Sequence, residues 1–140
     1  MAMREGTEER RAELYREAVA MIKSDYARPL RIEGVARELA TSRRQLQRAF
    51  AEIGNTSFRE VLASVRMRHA RNLLADPSVP VGRVAASVGY HQPAQFAKSF
   101  RRHHGTPPTN FRRALAADDK VTLLTPRDDR SVAPAYATAG

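Results

Sequence analysis

The chain has 140 residues, no cysteine, a net charge of +9 and 42% hydrophobic side chains with only 6% aromatics, which suits one small helical domain with frayed ends. The missing thiols exclude a disulfide scaffold, thiolate metal sites and thiol catalysis. No apolar run approaches the roughly 18–20 residues needed to span a bilayer, and the N-terminus is charged rather than signal-like, so the expected location is the cytoplasm.

Thr7 is placed to cap a first helix, with Glu8 and Glu9 against its N-terminal dipole. Leu14, Ala18, Met21 and Ile22 form one apolar stripe at helical spacing, flanked by Tyr15 and Tyr26, and the helix ends before Arg28-Pro29. A second helix is expected over 32–40, burying Val35, Ala36 and Leu39. Ser42-x-x-Gln45 has the spacing of a capping box and opens a third helix with Leu46, Phe50 and Ile53 inward, stopped at Gly54-Asn55. Ser57-x-x-Glu60 opens a fourth, long helix to about residue 75. Its apolar side is Phe58, Val61, Leu62, Val65, Ala70, Leu73 and Leu74, and Arg66, Arg68 and Arg71 populate much of the rest. A short fifth helix over 81–88 stops at Gly89. A sixth starts at Pro93, a residue suited to the first helical position, and runs to about His103. The last helix opens at Thr106-Pro107 and ends near Ala116, with Phe111 and Leu115 toward the core. Beyond it the periodicity ends. Residues 117–140 are expected to be a disordered tail, with Val121-Thr122-Leu123-Leu124 as a strand stub or a segment packed on the domain as the alternative.

Within this order one pattern occurs twice. Val35-Ala36-x-x-Leu39, Leu46, Phe50 and Gly54 are matched by Val84-Ala85-x-x-Val88, Phe96, Phe100 and Gly105. Each copy reads as a short helix, a tight turn and a longer helix closed by glycine, which is the outline of a helix-turn-helix. The charge follows the repeats. Residues 28–116 hold 16 of the 24 basic side chains against 5 acidic ones, and the flanking segments are each net −1. All but three of the basic residues are arginine, whose planar fork suits phosphate and guanine edges. A GC-rich genome would account for the arginine bias, but not for its regional concentration.

In the third helix Arg44, Gln47 and Arg48 lie three or four apart on one outward stripe, where arginine can fork onto guanine and glutamine can pair with adenine. Arg43 lies off that stripe and fits phosphate better. A solvated arginine face is the alternative for one such helix, and the second copy argues against it. The sixth helix offers Gln95, Lys98, Ser99 and Arg102 outward, with His91 and Gln92 in the turn before it. Pro93 and Ala94 fill its groove-entering positions and cannot donate a side-chain hydrogen bond, so this lobe is expected to hold phosphates and discriminate weakly.

These residues resemble the DNA-binding domain of the AraC/XylS family of bacterial transcription regulators, over about residues 10–116. The second copy carries the most specific part: Val84-Ala85, Gly89-Tyr90, Phe96, Phe100-Arg101, and Gly105-Thr106-Pro107-Pro108-Thr109-Asn110-Phe111-Arg112. The first is similar to the family in Ala36, Ser42, Leu46, Arg48-x-Phe50, Gly54, Phe58, Arg66 and Ala70-x-x-Leu73-Leu74. The resemblance implies an all-α, seven-helix domain over 8–116, with two helix-turn-helix lobes joined by the long fourth helix. It implies base contact by Arg44, Gln47 and Arg48, and contact positions at Gln95 and Lys98. Lys98 stands where arginine is frequent and Gln95 where an aromatic is common, and the His91-Gln92-Pro93-Ala94 run departs from the family too.

The expected partner is double-stranded DNA, read by a monomer in the nucleoid. RNA polymerase is the protein partner that the resemblance suggests, and no membrane contact or cofactor is expected. The family's companion sensory domain has no counterpart of sufficient length here. The chain is therefore either a single-domain regulator, which Met1 and the tail are read as favouring, or the DNA-binding piece of a longer one. Catalysis has little support: His69, His91, His103 and His104 have no carboxylate beside them at metal-binding spacing, and DNA-repair methyl acceptors with a similar region need a cysteine. Sequence-independent binding to DNA or RNA is the other class, and the outward stripe of the third helix is the feature that separates the two.

Overall fold

Ala18 and its neighbours one helical turn away, Leu14 and Ile22, are all buried, and this single apolar edge fastens the first helix. The computed structural model describes residues 2–122, with side chains from Gly6 to Asp118. Among them are seven helices and no strand: α1 (Ala2–Asp25), α2 (Ile32–Glu38), α3 (Arg43–Gly54), α4 (Phe58–Leu74), α5 (Val81–Ser87), α6 (Pro93–His104) and α7 (Pro108–Thr122). They form two units, one ending at Ala63 and the other beginning at Ser64. Each holds one helix-turn-helix, and α4 joins them.

In the first unit α1 packs chiefly on α3. Val35 and Ala36 of α2, Leu46, Ala49 and Phe50 of α3, and Phe58 and Leu62 of α4 complete its core. Phe50 sits at the centre, edge-to-face with Tyr15 at 5.2 Å and with Phe58 at 5.9 Å between ring centroids. The Ser42 hydroxyl accepts from the Gln45 N–H at 3.1 Å, and Ser57 accepts from Glu60 at 3.1 Å, so both serines cap the helices they precede.

In the second unit the core is Val65, Met67, Ala70 and Leu74 of α4, Val84, Ala85 and Val88 around α5, and Phe96 and Phe100 of α6. Tyr90, Phe96, Phe100 and Phe111 form a chain of ring contacts 5.4–5.9 Å apart. Arg112 of α7 donates through Nε to the Leu74 carbonyl at 3.1 Å and through Nη2 to the Asp76 carbonyl at 3.2 Å, which satisfies the end of α4.

The turns of the two lobes share one backbone solution. The Ala40 N–H donates to the Arg37 carbonyl at 3.1 Å and the Thr41 N–H to that of Ala36 at 2.9 Å. Gly89 and Tyr90 make the same two bonds to Ala86 and Ala85, at 3.1 and 2.9 Å. This is a Schellman closure, and it puts the residue after the helix in the left-handed region. Ala40 has φ 55° and Gly89 φ 97°. From there the second turn is one residue longer before its helix starts, at Gln92 rather than the position matching Ser42.

Several sequence expectations need correction. α1 begins at Ala2, so Thr7 lies inside it: the good helix formers around Gly6 offset a glycine penalty of about 1 kcal/mol. α2 ends at Glu38, two residues short of 40, because the closure recruits Ala40. α3 does stop at Gly54-Asn55, but the left-handed residue that closes it is Asn55, with φ 49°, rather than the glycine. Gly54 is required for another reason: a Cβ there would lie 2.5 Å from the Tyr15 ring. Ile53 and Leu73, expected inward, are exposed, and Met67, off the apolar stripe of α4, is fully buried. α7 runs past Ala116 to Thr122, so Val121-Thr122 end a helix and form no strand stub. The rest of the tail expectation lies outside the described residues.

An L-residue in the left-handed region costs about 1 kcal/mol relative to glycine. Ala40→Gly is therefore expected to raise stability by about 0.5–1 kcal/mol. Gly89→Ala should lower it by about 1–2 kcal/mol, since its Cβ would also meet the Arg66 guanidinium at 3.0 Å. Urea midpoints of the two variants check this.

A second expectation comes from His104, half-buried with its ring 4.5 Å from that of Phe100 and its Nε2–H donating to the Met67 carbonyl at 3.2 Å. Burial holds its pKa below the usual histidine value, and the charges of Arg71 and His103 add to this against the raising effect of the Met67 bond. The unfolded chain thus binds the proton at a higher pH than the folded lobe. The stability this contributes is complete above about pH 6.5 and is lost as the pH falls through the lowered folded value. Burial and Arg68 lower His69 in the same direction. Thermal midpoints should fall between pH 7 and 5, with a shallower fall in His104→Phe.

Candidate nucleic-acid interface

A helix that reads a groove needs an outer face free of packing and an inner face that fixes its orientation. α3 has both. Leu46, Ala49 and Phe50 are fully buried, and Arg43, Arg44, Gln47 and Arg48 are all exposed. At 3.6 residues per turn Arg44, Gln47 and Arg48 fall within an arc of about 100° opposite the buried side. Ser42 fixes where this helix starts and hence where the arc points.

Two carboxylates that spacing alone did not bring forward reach this face. Glu33 of α2 pairs with Arg43 Nη1 at 3.1 Å. Glu52, one turn after Arg48, pairs with Arg48 Nε at 3.6 Å through one oxygen and with Arg11 of α1 through the other. The Arg48–Glu52 pair has i,i+4 spacing and was visible in principle. The Arg11 contact joins residues far apart in sequence and had no sequence signal.

In α6, Phe96 and Phe100 are buried, while Gln95, Lys98 and Arg102 are exposed along one stripe. His91, Gln92, Pro93 and Ala94 are exposed ahead of it. The N-cap Gln92 makes no side-chain capping bond, unlike Ser42. Ser99, grouped with the outward residues by spacing, is half-buried, and its hydroxyl accepts from the Tyr90 OH at 2.9 Å. It belongs to the support of the helix.

Two arginines of α4 are engaged with aromatic rings. Arg66 is half-buried, its guanidinium 5.6 Å from the centre of the Tyr90 ring, and burial lowers its pKa. Arg71 lies over Phe111 at 5.4 Å. With Arg112, these cations hold the second unit together, and the net charge of the segment overstates what is left for a polyanion. Among the described residues no helix is long and apolar enough to cross a membrane.

A family model described as a helix-turn-helix domain matches residues 35–114. The Msm operon regulatory protein of Streptococcus mutans is 32% identical over 95 residues, covering 68% of this chain and 34% of that protein. Among solved structures, the C-terminal domain of AraT, a response regulator from Geobacillus stearothermophilus, is 29% identical with a TM-score of 0.70, covering 72% of this chain and 84% of that one. A probable AraC family transcriptional regulator from Rhodopseudomonas palustris is 28% identical with a TM-score of 0.67, covering 74% and 97%. The chain spans about a third of the length of the curated relatives it matches. The match covers both turns and both exposed helices, and the family is one of regulators rather than enzymes: the chain belongs to the AraC family of helix-turn-helix, DNA-binding transcription regulators.

Proposed function

We propose that the chain reads an asymmetric duplex site of about twenty base pairs as a monomer, with α3 and α6 entering major grooves about one turn, or 34 Å, apart. The observation that carries this reading is the exposed Arg44, Gln47 and Arg48 arc on a helix whose opposite side is fully buried. Such a helix presents donors in a fixed register, which sequence readout requires and bulk electrostatic attachment does not. Arg43 contacts phosphate. In the second lobe Gln95, Lys98 and Arg102, with His91 and Gln92 in the turn, hold the backbone, and Ala94 is limited to apolar contact with a thymine methyl. The DNA-binding unit runs from about residue 8 to the end of α7 at Thr122, six residues past the boundary expected at 116. It acts in the cytoplasm at the nucleoid, with RNA polymerase as a protein partner.

The division of labour between the lobes is tested by titrating Arg48→Ala and Lys98→Ala against a selected duplex and against bulk DNA. A guanidinium forked onto guanine is worth about 1–3 kcal/mol of discrimination, so Arg48→Ala should reduce the ratio of the two affinities about tenfold or more. Lys98→Ala should weaken both duplexes alike and lower the salt slope by about one phosphate equivalent. Equal weakening by Arg48→Ala together with a collapsed ratio in Lys98→Ala would reverse the assignment.

A further inference from the structure

The Glu52 carboxylate lies between two guanidinium groups of different character. Arg48, on the reading arc, is half exposed. Arg11 comes from α1, and its side chain is only 17% exposed. Arg11 Nε is buried without a hydrogen-bond partner, so the side chain is held by packing and by its Nη1 bond to Glu52 Oε2. A cation fixed in this way anchors one carboxylate oxygen. The other oxygen then faces Arg48 Nε at 3.6 Å. An exposed i,i+4 pair alone contributes little, because two long side chains must be ordered to form it. Here the anchor has already ordered one of them.

We propose that Glu52 is a positioning residue for sequence readout, fastened by Arg11 and holding Arg48 in the rotamer that meets a base. The inference rests on the reading of α3 as a recognition helix. Holding Nε leaves Nη1 and Nη2 to fork onto guanine O6 and N7, and part of the rotamer entropy of arginine is lost before DNA arrives. The carboxylate also acts against the wrong partner. It is 44% exposed on a face that a polyanion approaches, so Arg48 cannot swing onto a phosphate without giving up its pair with Oε1 and drawing that phosphate toward a carboxylate of like charge. Removing Glu52 should thus blur base choice while leaving affinity for bulk DNA equal or higher.

The test selects binding sites from a randomised duplex pool with the full chain. The enriched duplex and bulk DNA are then titrated with the parent, Glu52→Gln, Arg48→Ala and the double variant. Glu52→Gln should lower the ratio of specific to bulk affinity about five-fold when Arg48 is present, and not at all in the Arg48→Ala background. Arg11→Met, which frees the carboxylate from the far side but leaves it in place, should reproduce the loss, so the result does not hang on the folding of one variant. A loss of equal size in both backgrounds, or none in the parent background, overturns the assignment. If the parent enriches no sequence at all, the reading of α3 itself fails, and that outcome is distinct from the other two.

Discussion

A helix of twelve residues is not stable by itself in water. α3 and α6 exist as helices because their inner faces are buried, above all through Phe50 and Phe100, neither of which has any exposed surface. That burial also decides what the outer faces present. Rotating α3 by one residue would turn Leu46 out of the core and carry Arg44 into the place that Phe50 now fills, at a cost of several kcal/mol for the apolar area and the charge together. The orientation of the exposed stripe of Arg44, Gln47 and Arg48 is therefore a consequence of the core. The Schellman closures at Ala40 and Gly89 add the second constraint, since they set where each helix departs from the preceding one.

Arginine serves two purposes in this chain, and the environment of the guanidinium separates them. Arg66 and Arg71 lie over aromatic rings and Arg112 closes the end of α4, so their charge is used in building the second unit. Arg11 does similar work between α1 and α3. Arg43, Arg44 and Arg48 stand exposed on α3, two of them restrained by carboxylates. The first lobe thus offers a forked, oriented surface, and the second offers Lys98 and Arg102 behind a proline and an alanine. Under the proposed reading, specificity and attachment are divided unequally between two copies of one motif.

Much of this architecture was legible because it depends on local rules. Ser42 and Ser57 cap where capping-box spacing placed them, and the duplicated Val-Ala, Phe and glycine positions located both helix-turn-helix units. The misses have a common physical origin. The stop at Gly54-Asn55 was legible, but it is Asn55 that turns left-handed, and the glycine makes room for Tyr15, thirty-nine positions earlier. Arg66 was placed on α4 by spacing, but its half-buried seat over the Tyr90 ring had no sequence signal. Ile53 and Leu73 looked buried because they are apolar, although isolated apolar side chains are common on surfaces. For the candidate interface, each side chain that periodicity placed outward is exposed except Ser99, whose Tyr90 partner lies in the preceding turn. Tertiary partners, such as Arg11 for Glu52, leave no trace in local spacing.

The central claim is that one chain reads two successive turns of the duplex. Guanine-N7 methylation interference, performed on a selected duplex whose complex is weighed by native mass spectrometry, tests it most directly. Two interfering patches about one helical turn apart on one face, in a complex of one chain per duplex, are expected. A single patch, or two patches that appear only with two chains bound, would contradict it.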